Sequence, residues 1–235
     1  MNASQIIPIV MIRNEEYWIK RILSPLVEFF PGVVVADTGS TDSTVEQARK
    51  VPGVRLLEYG PLQPNQIGVL RGDLQAVAKA EFGAIYCLLD DGDELYPRDY
   101  LRFMVANLPP DDTMGGFTYG VECTELDNGE LWTLGLKGET VGVSRHALFS
   151  VDSKWSGVYP FESPDTFVAG HPKNYYWKSE NPRHHFWHLH QCRRSSKDAD
   201  VHLRVQKRYQ FSMRECPEIQ PLDFWLKSRE DYCDE

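Results

Sequence analysis

The chain has 235 residues, of which 42% are hydrophobic and 25% are charged, so it can form one sizeable hydrophobic core or one core with an appended lobe. Its net charge of −9 argues against a protein that coats nucleic acid or an anionic membrane, since both need a basic face. A local basic patch stays compatible with that charge. Five scattered cysteines without a Cys-x-x-Cys pair favour free thiols in a reducing compartment over a disulfide framework.

Strands and helices alternate through the N-terminal half. A continuous apolar run at residues 6–12 predicts a strand that is covered on both faces, and the runs at 33–36 and 85–89 predict two more buried strands. Residues 54–57 are predicted as a further strand, which makes the run at 85–89 the fourth strand along the chain. Apolar residues at helical spacing predict three helices, at residues 13–26, 43–48 and 71–82. The alternation predicts βαβ units and a mostly parallel sheet. The first apolar run is too short to span a membrane and lacks the flanks of a signal peptide, so we expect a cytoplasmic protein.

From about residue 115 the apolar pattern changes. Residues 116–121 and 131–134 alternate in polarity about Asp127-Asn128-Gly129, which is a hairpin signal. Further extended segments are indicated at 141–149 and 183–191, and a helix rich in Arg and Lys at 195–214. We therefore predict an α/β fold with a mostly parallel central sheet flanked by helices and a smaller, mixed or antiparallel C-terminal portion.

Carboxylates follow two of the predicted strands. Asp37 and Asp42 follow the second strand, and Asp91 and Asp93 follow the fourth. Ligands of open parallel sheets bind beyond the carboxyl ends of the strands. Asp and Gly are also common at the ends of strands that bind no ligand. This ordinary role could account for one acidic pair more easily than for two. Asp91-Gly92-Asp93 can present oxygen ligands to Mg²⁺ or Mn²⁺, while the phosphates of a nucleotide diphosphate and water fill the remaining positions.

Three short segments resemble a known family. MIRNEEYW, VVVADTGSTDST and CLLDDGDEL resemble, in order and spacing, three successive motifs of family 2 glycosyltransferases with the GT-A fold and an Asp-x-Asp motif. SRHALFSVDSKWSGVYPFE and HLHQCRRS resemble two later motifs more weakly, so the resemblance covers about residues 6 to 210. It implies one GT-A (Rossmann-like) domain over residues 1–235. Its parts are a nucleotide-sugar-binding half (1–110), an acceptor-side half (111–215) and a tail (216–235).

The resemblance also implies which part of the nucleotide-sugar donor each acidic pair binds. Asp37 would hydrogen-bond the base or ribose, and Asp42 would hold the loop or an adjacent polar group. Asp91 would face the ribose or the metal, Asp93 would be the main metal ligand, and Glu94 would fix the loop. The residues implied to bind the nucleotide sugar are Pro8, Arg13, Asn14, Glu15, Asp37, Thr38, Gly39, Ser40, Asp42, Arg71, Asp91 and Gly92.

The histidines near residue 190 have two interpretations. His184, His188 and His190 share a parity along an extended segment and, with Cys192, could form a zinc site. The resemblance instead implies that His190, with His188 as the alternative, completes the shell of the metal or diphosphate. Three cations that follow could neutralise phosphate or form a solvated helix start, namely Arg193, Arg194 and Lys197.

An inverting transfer needs a carboxylate that accepts the proton of the acceptor hydroxyl. The resembling family usually has His-Glu after Trp-x-Gly, whereas here the glutamate after Trp155-Ser156-Gly157 comes two residues late. Glu162 is therefore the first candidate for the catalytic base, and Asp165 is the second. A solvated loop carboxylate is the alternative for each.

Together these residues and the resemblance imply an inverting glycosyltransferase that depends on Mn²⁺ or Mg²⁺ and transfers a sugar to a hydroxyl acceptor. UDP-sugars are the favoured donors, with GDP- and dTDP-sugars as alternatives. The acceptor is open among a glycan, a lipid head group, a protein side chain and a modified nucleobase. No transmembrane segment is predicted, and the acidic charge disfavours long nucleic acid without excluding it.

Two other functions stay open. One is a nucleotidyltransferase, although the Gly-rich phosphate loop typical of those enzymes is missing after the first strand, where the sequence has Arg13-Asn14-Glu15-Glu16. The other is a non-catalytic module that binds nucleotide sugars on the same scaffold, which an intact Asp-x-Asp disfavours and the displaced base glutamate allows.

Overall fold

Helices cover both faces of one large sheet in the computed structural model of the protein. The structure describes residues 1–125, 131–133, 135–136, 139–140, 142–156, 163–165, 171–179, 181, 184–192, 194–197 and 220–221. The α-helices are Ile19–Phe29 (α1), Thr44–Arg49 (α2), Ile67–Phe82 (α3) and Arg98–Ala106 (α4). Short 3₁₀ helices span Ala3–Gln5 and Pro64–Gln66.

The strands fall into an N-terminal and a C-terminal group. The first group is Ile6–Ile12 (β1), Val33–Asp37 (β2), Val54–Glu58 (β3), Tyr86–Asp91 (β4) and Glu94–Leu95 (β5). The second begins with Gly115–Glu125 (β6), Leu131–Thr133 (β7), Gly135–Leu136 (β8), Glu139–Thr140 (β9) and Gly142–Ser150 (β10). It ends with Trp155–Ser156 (β11), Ser163–Pro164 (β12), Asn174–Tyr176 (β13), Phe186–Gln191 (β14) and Gln220–Pro221 (β15).

Four parallel strands form the N-terminal part of the sheet, in the order β4-β1-β2-β3. Met11 of β1 pairs with Asp91 of β4, and Ile12 pairs with Asp37 of β2. The carboxyl ends of β4, β1 and β2 therefore lie side by side at one edge of the sheet. The chain segments that follow the strands meet at this edge.

The two faces of β1 pack against different helices, which confirms that this strand is covered on both sides. Val10 and Ile12 belong to a buried cluster that includes residues of α1. Ile7 and Ile9 belong to a second cluster, formed with the buried face of α3. Because both faces are covered, the strand is a continuous apolar run rather than an alternating one.

The sheet continues from β4 into the C-terminal half. β10 pairs antiparallel with β4, β6 pairs antiparallel with β10, and β14 pairs parallel with β6. β7 pairs antiparallel with β6 as the predicted hairpin requires, although the turn residues 127–129 lie outside the described part of the chain. The predicted fold class is confirmed. It is an α/β fold with a mostly parallel N-terminal sheet and a mixed C-terminal portion.

Some predicted helix bounds were wrong. The helix expected at 13–26 begins only at Ile19, because Asn14 has a φ of 57° in the left-handed region and turns the chain after β1. α3 begins at Ile67 rather than at residue 71, and α4 was not predicted. Of the helix expected at 195–214, only residues 195–197 are described, and they are not helical.

Three cysteines are buried free thiols, as predicted, namely Cys87, Cys123 and Cys192. Burial raises the pKa of the Cys87 thiol, which is the behaviour of an inert structural cysteine. Among the helices that the structure describes, none combines the length and the apolar character needed to cross a membrane.

Candidate functional site

The segment after β1 is tied to the loop after β2. The backbone N–H of Asn14 donates to Oγ of Ser40 at 3.0 Å, and Oδ1 of Asn14 accepts from the N–H of Thr41 at 2.8 Å. Arg13 is exposed next to this contact, whereas Pro8 is buried within β1. Of these predicted donor-binding residues, the structure brings Asn14 and Ser40 together at the edge but does not bring Pro8 there.

The loop after β2 is organised by Asp37, the last residue of the strand. Its buried carboxylate accepts from the N–H groups of Gly39 at 3.1 Å and Ser40 at 3.0 Å. The N–H and the hydroxyl of Thr38 both donate to the carbonyl of Ile12, at 2.9 and 3.0 Å. These bonds fix the backbone of residues 37–40 against the end of β1.

Two glycines at the edge are required by close approaches. Gly39 has a φ of 97°, and a Cβ there would lie 2.8 Å from the backbone nitrogen of Pro61. A Cβ on Gly92 would lie 3.0 Å from both the carbonyl oxygen of Met11 and Cγ of Glu15. A side chain at Gly39 would therefore collide with Pro61, and one at Gly92 would push the loop after β4 away from β1.

Asp42 connects this loop to the C-terminal part of the chain. Its Oδ1 accepts from the N–H of Thr44 at 2.9 Å, at the first residue of α2. Its Oδ2 accepts a hydrogen bond from the hydroxyl of Ser195. Asp42 therefore links the start of α2 to the segment that contains Ser195.

Glu16 makes a second connection to the same C-terminal segment. Its Oε1 accepts from the N–H of Ser196 at 2.7 Å, and its Oε2 accepts from the hydroxyl of Ser43 at 2.9 Å. Hydrogen bonds from Ser196, and then from Ser43, lower the pKa of Glu16 to about 2. Residues 194–197 are thereby held across the ends of β1 and β2, and this segment is named the clasp.

Two aspartates stand at the end of β4. The Asp91 side chain is 32% exposed, and its Oδ1 lies 3.7 Å from Nη2 of Arg71. The Asp93 side chain is 13% exposed, and its Oδ2 lies 3.8 Å from Nε2 of His188. Oε2 of Glu94 accepts from the N–H of Asp91 at 3.3 Å, a contact within the loop that follows β4.

Arg71 lies between Asp91 and the segment that holds the candidate bases. Its side chain is buried, with Cζ 4.6 Å above the ring of Trp155 in β11. β11 pairs with β12, and Asp165 follows directly. Asp165 is exposed, and its Oδ1 accepts from the N–H of Lys154 at 3.0 Å. Glu162 lies outside the described residues.

The guanidinium of Arg194 lies between two carboxylates. Its Nη1 donates to Oε1 of Glu15 at 2.9 Å and to Oδ2 of Asp93 at 3.2 Å. The backbone N–H of Glu15 donates to Oγ1 of Thr44 at 2.7 Å. Sequence reasoning treated Arg194 as a phosphate contact or a solvated cation. The contact with Glu15 spans 179 residues, so no local pattern could have revealed it.

Asp91 and Asp93 carry the type of donor atom that a divalent cation would need. Carboxylate oxygens are the ligands that Mg²⁺ and Mn²⁺ prefer, and two of them leave room for phosphate oxygens and water in an octahedral shell. The side chain of the third predicted ligand, His190, lies outside the described residues. His188, the alternative, is the described histidine that faces Asp93.

The zinc interpretation of the histidines finds no support. β14 begins at residue 186, so the strand parity does not extend to His184. The His184 ring stacks on Phe103 with centroids 4.4 Å apart, and its Nδ1 lies 2.7 Å from Oγ of Ser179. Over the described ranges, no group of three or more His, Cys, Asp and Glu could hold a metal ion.

A cleft of about 540 Å³ opens in the C-terminal half. Aromatic and polar side chains line it, namely Tyr119, Trp177, Lys178, Ser179 and His185. A mixed lining and a volume of this order are typical of small-molecule sites. The cleft lies within residues 111–215, and an acceptor-binding role for that half stays a prediction.

Comparisons with known proteins gave only distant structural likenesses. No protein-family model and no curated protein sequence matches the chain. The glucosyl-3-phosphoglycerate synthase of Mycobacterium tuberculosis, solved with Mn²⁺ and UDP-glucose, is 19% identical over 50% of this chain and 43% of its own, with a TM-score of 0.37. The mannosyltransferase PcManGT of Pyrobaculum calidifontis, solved with GDP-Man and Mn²⁺, is 21% identical over 52% and 36%, with a TM-score of 0.37.

A different kind of enzyme is also similar. A 4-diphosphocytidyl-2C-methyl-D-erythritol synthase is 12% identical over 63% of this chain and 75% of its own, with a TM-score of 0.44. The chain spans less than half the length of the glucosyl-3-phosphoglycerate synthase and of the mannosyltransferase. With TM-scores below 0.5 these likenesses carry no functional argument, so the function is inferred from the residues at the sheet edge.

Proposed function

We propose that this protein is a metal-dependent inverting glycosyltransferase that moves a sugar from a nucleotide-diphosphate sugar to a hydroxyl acceptor. One observation carries the proposal. The segments after three adjacent parallel strands, 13–16, 37–42 and 91–94, meet at one edge of the sheet and hold their carboxylates there. Ligands of open parallel sheets bind at this edge, and these are the segments that carry the family resemblance.

The nucleoside is proposed to bind at the loop after β2. Two backbone N–H groups orient the Asp37 carboxylate, and an ionised carboxylate has about four acceptor sites. The remaining acceptor capacity suits an N–H of the base or a hydroxyl of the ribose. Asn14 and Thr38 fix the neighbouring backbone, so the loop is preorganised before the donor arrives.

The diphosphate is proposed to lie over the end of β4. Asp93 and Asp91 would hold the Mn²⁺ or Mg²⁺ ion, with His190 as a third ligand. When bound, the ion supplies positive charge against the negative charge that develops on the departing diphosphate. Arg71, held by the ring of Trp155 at 4.6 Å, adds a second fixed positive charge near Asp91.

Glu162 is proposed as the catalytic base. Its carboxylate takes the proton of the acceptor hydroxyl while that oxygen bonds to the anomeric carbon. The bond from this carbon to the diphosphate breaks on the opposite face, so the anomeric configuration inverts. Asp165 is the second candidate, and the bond from Lys154 to its Oδ1 favours a structural role for it.

The proposal is tested by measuring nucleotide release from a panel of UDP-, GDP- and dTDP-sugars, with Mn²⁺ and with EDTA. We expect release from one class of donor that depends on the metal ion. Release of pyrophosphate from a nucleoside triphosphate would identify a nucleotidyltransferase instead. Binding of a nucleotide sugar without any release, across a panel of hydroxyl acceptors, would identify a binding module.

A further inference from the structure

Arg194 is a positive charge built into the proposed metal site. Its Nη1 lies 3.2 Å from Oδ2 of Asp93 and 2.9 Å from Oε1 of Glu15. All three side chains are shielded from solvent, with exposures of 16% for Arg194, 13% for Asp93 and 3% for Glu15. Two carboxylates held this close together need a nearby cation, and the guanidinium supplies one.

The clasp presents Arg194 to the carboxylates through contacts that do not involve the guanidinium. The backbone carbonyl of Arg194 accepts from the N–H of Tyr17 at 3.0 Å. Ser195 donates to Asp42, and the N–H of Ser196 donates to Glu16 at 2.7 Å. The backbone of the clasp therefore has its own attachment to the edge, and the arginine side chain can change partners while the clasp stays in place.

We propose that Arg194 is an exchangeable internal counter-ion, which a divalent cation replaces at Asp93. This inference rests on the proposed function, because it takes Asp93 as a metal ligand. A Mg²⁺ ion sits about 2.0–2.1 Å from a ligand oxygen, while Nη1 lies 3.2 Å from the same Oδ2. A divalent cation on that oxygen would repel the guanidinium next to it. A divalent cation bound to Oδ2 therefore competes with Arg194 for Asp93.

The competition predicts that removing the charge of Arg194 strengthens metal binding. Mn²⁺ alone is titrated, by the loss of free Mn²⁺ signal in electron paramagnetic resonance, into the wild type and Arg194→Gln. We expect Arg194→Gln to bind Mn²⁺ about tenfold or more tightly, since the metal no longer displaces a bound cation. Arg21→Gln is the matched control, because Arg21 is an exposed arginine that lies over Trp18 in the N-terminal half. Its affinity for Mn²⁺ should equal that of the wild type.

A second measurement uses the wild type and does not depend on the folding of a variant. The guanidinium ¹⁵N signals of Arg194 are followed while Mg²⁺ alone is added. We expect them to move towards those of a solvated guanidinium as Mg²⁺ binds, whereas unchanged signals with Mg²⁺ bound would overturn the inference. Equal Mn²⁺ affinity in the wild type and Arg194→Gln, or no binding in either, would overturn it as well.

The inference and the proposed function can fail separately. If the wild type turns over a nucleotide sugar while Arg194→Gln gains no affinity for Mn²⁺, the counter-ion role is wrong and the proposed function stands. If Arg194→Gln gains affinity while no nucleotide sugar is bound or turned over, the counter-ion role stands and the proposed function is wrong.

Discussion

Glu16 offers a quantitative test of how the clasp is held. Its pKa is about 2 in the folded protein, against 4.5 ordinarily. At about 1.36 kcal/mol per pH unit this difference corresponds to about 3 kcal/mol. Glu16 is partly exposed, so solvent screening reduces the stabilisation to about 1–2 kcal/mol. Glu16→Gln keeps the shape of the side chain and removes the charge, so its free energy of unfolding at pH 7 should be lower by about that amount.

The sign of the pH dependence follows from the direction of the pKa change. A carboxyl group whose pKa is lower in the folded state stabilises the fold fully above its unfolded pKa and loses this contribution as the pH falls through the folded value. The difference between wild type and Glu16→Gln should therefore be constant above about pH 4.5 and shrink towards pH 2. Urea unfolding of both proteins across this range measures it.

Glu46→Gln is the matched control for this experiment. Glu46 pairs with Lys50 on the surface of α2 at 2.7 Å, and both side chains are largely exposed. Exposed pairs of this kind stabilise proteins little, so the control should unfold almost as the wild type does at every pH. A difference between wild type and Glu16→Gln that is the same at pH 7 and pH 3 would refute the hydrogen-bonded carboxylate as its cause.

Three further predictions concern the donor loop and the base. Asp37→Ala should weaken nucleotide binding with and without Mn²⁺, since its proposed partner is the nucleoside, and calorimetry that finds a loss only with Mn²⁺ would move Asp37 into the metal shell. Gly39→Ala should weaken nucleotide binding and lower the melting temperature, because of the close approach to Pro61 at a φ of 97°. Gly60→Ala is the control that separates backbone strain from the clash with Pro61, since Gly60 has a φ of 74° but open space around it. If Gly60→Ala lowers the melting temperature as much as Gly39→Ala does, backbone strain alone explains the loss of stability. Glu162→Gln should retain donor binding and lose about 10²-fold or more in transfer rate. The transfer rate should survive Asp165→Asn, and the reverse pattern would exchange the two roles.

The parallel sheet and its edge could be predicted because their signals are local. Strands that are buried on both faces are continuous apolar runs, so β1 was predicted to the residue and β2 to within one residue. The carboxylates that follow such runs must lie at the carboxyl edge, because parallel strands end together. The loop-fixing role of Glu94 was implied only by the family resemblance, and its contact with the N–H of Asp91 was not predicted.

Contacts between distant parts of the chain could not be predicted. The clasp reaches Glu16 across 180 residues and Asp42 across 153. Ser195 lies in a segment that resembles a family motif, but nothing in the sequence around Ser195 and Ser196 indicates these two partners. The late start of α1 had the same cause. Asn14 is held in the left-handed region by Ser40 and Thr41 of another loop, and the local pattern of apolar residues contains no trace of those bonds.

The most direct test of the central claim is the metal dependence of nucleotide binding at Asp93. UDP is titrated by calorimetry into the wild type and Asp93→Ala, with Mn²⁺ and with EDTA. The wild type should bind UDP about tenfold or more tightly with Mn²⁺, and Asp93→Ala should lose this gain because one of the two carboxylate ligands is missing. Asp73→Ala, which removes an exposed aspartate from α3, should keep it. The same gain with Mn²⁺ in Asp93→Ala as in the wild type, or no nucleotide binding by the wild type, would contradict a donor site at this edge.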